Sequence, residues 1–197
     1  MEESITNPKS ISTKQNQPRK NWFLRKTRYV IYKQTLLNPQ DHLWAFLGAF
    51  VGIASIGYIQ SLFLEEMPNL FLIGSFGASA VLVYGAPNSP LAQPRNLIGG
   101  HLVSAIVGVT IALLITDKEL SWLSSSLAVS SAIVLMQITK TMHPPGGATA
   151  LIAVIGGEKI RDLKYLYIVS PVLTGVVILF SVGLFVNNLS KDRKYPL

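Results

Sequence analysis

The sequence predicts an all-α protein: a polytopic transmembrane helical bundle of two inverted three-segment repeats, the middle segment of each being short or broken. Six stretches contain no Asp, Glu, Lys or Arg, namely residues 42–64, 67–94, 96–116, 120–139, 141–157 and 165–190. Four or more of them reach the length of about 20 apolar residues that a helix needs to cross a bilayer. Only 14% of all residues are charged, whereas a soluble domain has about 25%. A soluble bundle would also need polar outer faces, which these segments lack.

The N-terminal region is strongly basic. Residues 1–18 are rich in Ser, Thr, Asn, Gln, Lys and Pro and are predicted to form a disordered cytoplasmic tail. Residues 19–40 are predicted to form a basic juxtamembrane amphipathic segment, and no cleavable signal peptide is expected. The positive-inside rule places the N-terminus in the cytoplasm. The segment serves either as a topology signal or as a helix lying on anionic lipid; nucleic-acid binding is not favoured.

The predicted transmembrane domain covers residues 41–190, and residues 191–197 form a C-terminal tail. Its first helix contains Gly48, Gly52 and Gly57 as close-packing positions. The second segment is short and rich in glycine, and three prolines at 87, 90 and 94 make the stretch after it a turn region. The remaining segments are a long third helix, a fourth helix from about 121 to 139, a proline-glycine motif with a short helix, a charged loop at 158–164, and a long final helix from about 165 to 188.

An internal repeat appears when the chain is shifted by seventy residues. Gly77-Ala78-Ser79-Ala80 then aligns with Gly147-Ala148-Thr149-Ala150, and residues 101–108 align with 171–178. The two repeats cover about 41–116 and 120–188. Three crossings in each half would invert the second half, as in many secondary transporters, whose substrate sites lie near the midplane between the halves. Residues 141–157 either span the membrane or only re-enter it, and loop charge does not decide between these topologies.

The motif "TKTMHPPGGATALIAVIGG" interrupts a hydrophobic run at residues 139–157. A helix cannot pass cleanly through Pro144-Pro145, so the preceding helix is predicted to stop near Met142 and a new one to begin at about Pro145. Gly146 and Gly147 would leave the amides of the new helix accessible, and these amides have a partial positive charge. The pattern predicts an anion cradle, with "GSFGASA" at 74–80 as its counterpart in the first repeat.

The predicted substrate-binding residues come from both repeats. They are Ser75, Phe76, Gly77, Ala78 and Ser79 in the first repeat, and His143, Pro144, Pro145, Gly146, Gly147, Ala148 and Thr149 in the second.

Four further polar residues are secondary candidates: Lys140, His101, Arg95 and Gln137. Lys140 either shares a vestibule with His143 or extends to the membrane interface. For His101, a hydrogen bond to a neighbouring helix is favoured over a ligand role. Arg95 is favoured as a topology charge over a role in attracting anions. Gln137 and Gln60 are expected to form polar contacts between helices.

No cofactor or metal site is predicted, because the chain has no cysteine and no buried carboxylate accompanies its histidines. No nucleophile with a base and an orienting partner is evident, and there is no phosphate-binding loop. An enzyme is therefore not expected.

The residues "HPPGGATA" at 143–150 resemble the signature of the HPP family of small integral membrane proteins, and the resemblance extends over residues 41–190. Some members in cyanobacteria and chloroplasts are associated with nitrite transport, and others have no firm function. The resemblance implies a transporter or channel for a small monovalent anion, nitrite first, in a bacterial, cyanobacterial inner membrane. Two alternatives are a non-transporting scaffold that uses the basic tail and a transporter of another small solute. Transport direction, proton coupling and assembly into a homo-oligomer are left open.

Overall fold

A computed structural model describes residues 39–63 and 73–197. The predicted N-terminal tail and amphipathic segment, and the expected role of Gln60, lie outside the described residues and side chains. Within the two described ranges every regular element is helical, which confirms the predicted all-α class.

Four helices are long and apolar enough to cross a membrane. Helix α1 is Pro39–Phe63, α3 is Pro94–Leu114 and α4 is Ser121–Ile138. The fourth span, Ile168–Leu189, consists of a π-helical segment at Ile168–Leu173 and helix α7 at Thr174–Leu189. Two apolar helices are shorter: α2 is Gly74–Ala80, prolonged by a wider π-helical turn at Val81–Gly85, and α5 is Pro144–Ile155. The arrangement matches the expectation that long helices flank a short middle segment in each half.

The two short helices begin seventy residues apart. Helix α2 starts after Ile73 and α5 starts after His143, and both preceding residues have extended backbone. The offset that aligns the sequence with itself therefore also aligns the starts of these helices. This agreement supports the repeat, while the opposite orientation of the two halves stays a prediction.

Several boundaries differ from the sequence-based expectation. Helix α4 ends at Ile138, earlier than Met142. The charged stretch predicted as a loop contains a short helix, α6, at Glu158–Leu163. The final helix is not continuous: Ser170 has non-helical dihedral angles before Pro171, because proline cannot donate a helical hydrogen bond and clashes with the preceding turn.

Glycines bring the helices close together where large side chains or backbones meet. A Cβ atom at Gly48 would lie 2.6 Å from the ring of Tyr84, so α1 can pack on this ring only because it has glycine there. Between α3 and α5, a Cβ at Gly108 would lie 2.6 Å from the carbonyl oxygen of Ala150. These close approaches hold the two short helices within the bundle.

Candidate functional site

Four buried polar side chains join α2, α3 and α5 into one network, which we call the histidine cluster: Ser79, His101, His143 and Thr149. The Ser79 hydroxyl lies 2.7 Å from Nε2 of His101 and 2.9 Å from Nε2 of His143. Nδ1 of His101 lies 2.7 Å from the Thr149 hydroxyl. All four side chains are fully buried. Because polar groups inside a membrane domain are costly, a network of this size indicates a function.

Two members of the cluster, Ser79 and Thr149, are aligned by the seventy-residue offset. Ser79 and Thr149 occupy matching positions in the two repeats, and each hydroxyl bonds to a different nitrogen of the same ring, His101. The sequence favours a hydrogen bond from His101 to a neighbouring helix, and the structure shows one on each side of the ring. His101 is only a secondary candidate in the sequence because its partners are 22 and 48 residues away.

The backbone carbonyl of Leu91 fixes the direction of the hydrogen bonds. It lies 2.8 Å from Nδ1 of His143, and a carbonyl can only accept, so Nδ1 of neutral His143 has the proton. Nε2 of His143 then accepts from Ser79, Ser79 accepts from Nε2 of His101, and Nδ1 of His101 accepts from Thr149. In this assignment every ring nitrogen of the two histidines has a hydrogen-bond partner. Sequence reasoning missed Leu91, because a backbone acceptor leaves no side-chain signal.

The start of α5 differs from the predicted cradle of accessible amides. Pro144 and Pro145 have no N–H groups, and the Gly146 amide donates to the His143 carbonyl over 2.8 Å. A Cβ at Gly146 would lie 2.7 Å from the Ser104 hydroxyl and 2.9 Å from the Gly100 carbonyl oxygen. Gly146 therefore serves the packing of α5 on α3, and the expectation that it opens an amide to a ligand is wrong.

Ser75 is the buried polar side chain without a hydrogen-bond partner among the described residues. Its hydroxyl lies one helical turn before Ser79, in the first turn of α2. Buried hydroxyls nearly always have a partner, and an exception in a native protein needs an explanation. A donor that the protein itself does not use is suited to an anionic ligand.

The remaining predicted site residues fall into two groups. Phe76 is buried with its ring edge-on to His101, at a centroid separation of 5.8 Å. The small residues of both repeats point outwards: Gly77 and Ala78 are exposed, and Gly147 and Ala148 are half-buried. A Cβ at Gly147 would meet only a Val129 methyl group at 3.9 Å.

The secondary candidates other than His101 lie away from the cluster. Lys140 is exposed whereas His143 is fully buried, so the two do not share a vestibule in this structure. Arg95 is exposed and donates to the Thr139 carbonyl at the C-terminal end of α4, over 3.0 Å. A cation is favourable at that end of a helix. Gln137 is exposed on the surface of the bundle.

Two pockets lie at the C-terminal end of α5, opposite His143. One has a volume of about 130 Å³, with apolar walls from α3 and α5 and the charged side chains Arg161 and Lys164. The other, of about 280 Å³, contains Lys118, Glu158 and Arg161. No described pocket touches the histidine cluster. Because α5 has 12 residues, the pockets lie about 18 Å from its start.

A second buried network, which we call the arginine cluster, consists of Asp41, Arg193, Asn187 and the Tyr84 carbonyl. The guanidinium donates to Asp41 Oδ1 over 2.9 Å, to the Tyr84 carbonyl over 2.8 Å and to Asn187 Oδ1 over 3.2 Å. Lys191 and Lys194 on either side of it are exposed, but the Arg193 side chain is only 6% exposed. Its ion-pair partner is 152 residues away, so no local pattern predicts this contact.

The described residues contain no group of three or more His, Cys, Asp or Glu side chains arranged to hold a metal ion. The two histidines of the cluster are bonded to hydroxyl and carbonyl oxygens instead.

Comparisons with known proteins place these features in a family. Residues 34–196 match the family model described as "HPP, transmembrane region". Two proteins of Dictyostelium discoideum, each named only as a transmembrane protein, are 47% and 46% identical over 156 residues. Those alignments cover 78% of this chain and 50% and 54% of the relatives, so the chain spans about half the length of the curated relatives it matches. No solved structure matches the chain.

The family match covers most of the chain and all six apolar helices, including the His-Pro-Pro start of α5 and both histidines of the cluster. The chain therefore belongs to the HPP family and is an integral membrane protein.

Proposed function

We propose that the protein is a transporter or channel for a small monovalent anion, nitrite first, which binds between α2 and α5. The observation that supports this most is the Ser75 hydroxyl, a buried donor with no partner among the described residues, next to a histidine cluster that joins the two short helices. Nitrite comes from the family resemblance alone, and the names of the curated relatives give no substrate.

Electrostatics favours an anion over a cation at this site. The described residues provide no carboxylate that bonds to the histidine cluster, and its available groups are hydroxyls and imidazoles. Neutral donors bind an ion weakly enough for it to leave again, as transport requires. The pocket at the far end of α5 adds two cations, Arg161 and Lys164, which would raise the local concentration of small anions.

The proposed site differs from the predicted cradle in its donors. Hydroxyl groups replace the α5 amides, because prolines occupy the first two positions of the helix and the Gly146 amide is already bonded. Gly77 and Gly147 still leave space for a ligand, because a Cβ atom at either position would have at most one neighbouring atom within 4 Å. The midplane position, the cytoplasmic N-terminus and the bacterial inner membrane stay predictions.

The test is nitrite flux into proteoliposomes containing the purified protein. Ser75→Ala should lower the flux without lowering the unfolding temperature, because no described residue makes a hydrogen bond with that hydroxyl. Gly147→Leu should abolish the flux and still fold, since its Cβ lies in nearly open space. Ser124→Ala is the matched control: Ser124 is also buried, but it bonds only within α4, and its loss should leave the flux unchanged.

Three outcomes would overturn parts of the proposal. Flux that survives both Ser75→Ala and Gly147→Leu would remove the site from between α2 and α5. Flux of another anion or of a neutral solute, with none of nitrite, would replace the substrate. The absence of any solute flux would favour the scaffold alternative, which predicts that an activity is lost when residues 1–35 are deleted.

A further inference from the structure

We propose that the histidine cluster is a binding site for one proton, shared by His101 and His143 through the oxygen of Ser79, and that this proton moves together with the anion. The proton site follows from the hydrogen-bond geometry alone. Its coupling to transport rests on the function proposed above.

In the neutral cluster every donor and every ring nitrogen has a partner. The Ser79 hydroxyl proton goes to Nε2 of His143, and its oxygen accepts from Nε2 of His101. Thr149 donates to Nδ1 of His101, and the Leu91 carbonyl accepts from His143. Because this carbonyl cannot donate, the chain of bonds has one direction and cannot simply be reversed.

The Ser79 hydroxyl has a third neighbour, the Ser75 carbonyl, and this additional acceptor allows the cluster to bind one more proton. The hydroxyl lies 3.0 Å from the carbonyl oxygen of Ser75, which is a geometrically acceptable hydrogen bond. If Nε2 of His143 takes up a proton, the Ser79 hydroxyl can rotate to this carbonyl. The Ser79 oxygen then accepts from both histidines through its two lone pairs. Every group is still hydrogen-bonded, and no atom other than the hydroxyl hydrogen has moved.

The geometry admits one proton but not two. The centroids of the two imidazole rings are 4.9 Å apart, and both rings are fully buried. Two positive charges at this distance would repel strongly in a medium of low dielectric constant. A second proton could bind only at Nδ1 of His101, which already accepts from Thr149. The pair therefore titrates as one unit with a capacity of a single proton.

Among the described residues, no charged side chain bonds to this unit. Two buried tyrosines lie on neighbouring segments: the Tyr167 hydroxyl donates to the Thr149 carbonyl over 3.1 Å, and the Tyr84 hydroxyl, in the turn after α2, donates to the Leu179 carbonyl over 3.0 Å. The charged residues of α3 and of the turn before α5, Arg95 and Lys140, are exposed. Helix α1 has Asp41 bonded to Arg193, and exposed His42 and Tyr58; α4 and α7 contain no titratable residue.

A bound proton explains how a site without a fixed cation can hold an anion in a membrane. An anion between α2 and α5 gains a positive neighbour when the pair is protonated, and the proton in turn gains a negative one. Each ligand then raises the affinity for the other by the same factor. One proton and one monovalent anion form a neutral pair, so their movement together does not depend on the membrane potential.

The proton site is tested by ¹⁵N NMR of the purified full-length protein labelled at its histidines. At high pH, His143 should be protonated at Nδ1 and His101 at Nε2. On acidification, the two rings together should take up one proton. The exposed His42 gives the third signal, and His42→Gln identifies it. Two rings that each become fully protonated, or a pair that takes up no proton before the protein unfolds, would overturn the proposal.

Two variants of Ser79 test whether its hydroxyl oxygen allows the buried histidine pair to bind a proton. Ser79→Ala removes the oxygen that both histidines share, so the pair should bind its proton more weakly, while the repulsion between the rings is unchanged. Ser79→Thr retains the hydroxyl and should restore proton binding. If the threonine variant does not fold, His143→Asn tests the same point, because asparagine keeps a donor for the Leu91 carbonyl but binds no proton; the remaining His101 should then titrate alone.

Coupling is tested separately, by nitrite uptake into proteoliposomes with an acidic exterior. Uptake into protein-free vesicles is subtracted, because nitrous acid itself crosses lipid. The expected result is one proton taken up with each nitrite, no response to an imposed membrane potential, and loss of the response to the pH gradient in His143→Asn. Flux that follows the membrane potential and ignores the pH gradient would overturn the coupling. An absence of flux together with a single-proton NMR titration would overturn the transport function and leave the proton site standing.

Discussion

The histidine cluster and the arginine cluster both bury polar groups along the segment of α2 and its π-helical turn, but different interactions hold them. The arginine cluster pairs two opposite charges, Arg193 and Asp41, at 2.9 Å, and the guanidinium also bonds to the Tyr84 carbonyl. The histidine cluster contains neutral rings and hydroxyls joined in one direction. Arginine stays charged at every accessible pH, whereas histidine can change its charge near neutrality.

The difference suggests a division of labour between the two clusters. The arginine cluster ties the C-terminal tail to the start of α1 and the end of the α2 segment, and its charge state is constant. The histidine cluster lies where the two short helices meet α3, and its hydroxyl can change partners. Losses in the first cluster should therefore appear mainly in stability, and losses in the second mainly in transport and proton uptake.

The largest expected effect is on the arginine cluster. Arg193→Met removes the ion pair and leaves the Tyr84 carbonyl and Asn187 without their donor, which should cost about 3 kcal/mol of unfolding free energy. The measurement is unfolding in detergent micelles. Lys194→Met removes the same charge from the neighbouring exposed position and should have almost no effect. Equal losses in the two variants would show that net charge in the tail matters and that the cluster does not.

The next effect separates the two adjacent glycines of the motif. Gly146→Ala places a methyl group 2.9 Å from the Gly100 carbonyl oxygen and should destabilise the protein by about 2 kcal/mol, since the α3 backbone cannot easily move. Gly147→Ala meets no close atom and should stabilise α5 by about 0.5 kcal/mol, because alanine is the better helix former. Thermal unfolding of both variants checks the signs. Destabilisation by both would contradict the assignment of packing to Gly146 alone.

A smaller effect compares two buried serines one helical turn apart. Ser79→Ala leaves Nε2 of His101 and of His143 without their partner and should cost about 1–2 kcal/mol. Ser75→Ala removes a hydroxyl that has no partner among the described residues and should leave the unfolding free energy within about 0.5 kcal/mol of the wild type. Stability and flux should thus separate: Ser75→Ala impairs flux alone. A large loss of stability in Ser75→Ala would mean that the protein uses this hydroxyl itself.

The smallest effect concerns Tyr195, next to the arginine cluster in the C-terminal tail. Its hydroxyl donates to the Ala92 carbonyl over 2.8 Å, and burial raises its pKa to about 12. Since a tyrosine in the unfolded chain has a pKa of about 10, folding favours the neutral form. The contribution of Tyr195 to stability is complete below pH about 10 and is lost as the pH rises through about 12.

Tyr195→Phe should therefore cost about 1 kcal/mol at neutral pH and reduce the loss of stability at alkaline pH. Tyr58→Phe is the control, because the Tyr58 side chain is 65% exposed. The measurement is the unfolding free energy in micelles as a function of pH. A wild-type alkaline loss that persists unchanged in Tyr195→Phe would contradict this account.

The helical class and most helix positions follow from local chemistry. Runs without charge predict the membrane helices. Pro144-Pro145 predicts the start of a helix, and α5 begins at Pro144. Sequence patterns predict helix boundaries less accurately where two local rules compete. The stretch 158–164 contains several charged residues, which suggested a loop, yet it is long enough to form one and a half turns of helix. Pro171 was visible in the sequence, but its break in the last helix was not expected.

The candidate site was predictable only in part, because local pattern and spatial neighbourhood are different properties. The seventy-residue offset identified Ser79 and Thr149 as matching positions and "HPPGGATA" as the second half of the site. It gave no reason to place His101 between them, since that histidine aligns with Pro171. The Leu91 carbonyl has no side-chain identity at all, and the role of Gly146 depends on the α3 backbone behind it.

By itself, the sequence determined that this chain is an α-helical membrane protein with two related short segments, because hydrophobic length, charge spacing and proline act locally along the chain. Tertiary structure alone decided which polar groups meet. It placed both nitrogens of His101 between hydroxyls from α2 and α5, and it buried Arg193 against Asp41. Such contacts depend on the path of the backbone in three dimensions, and a chemistry that needs several partners at once exists only after the chain has folded.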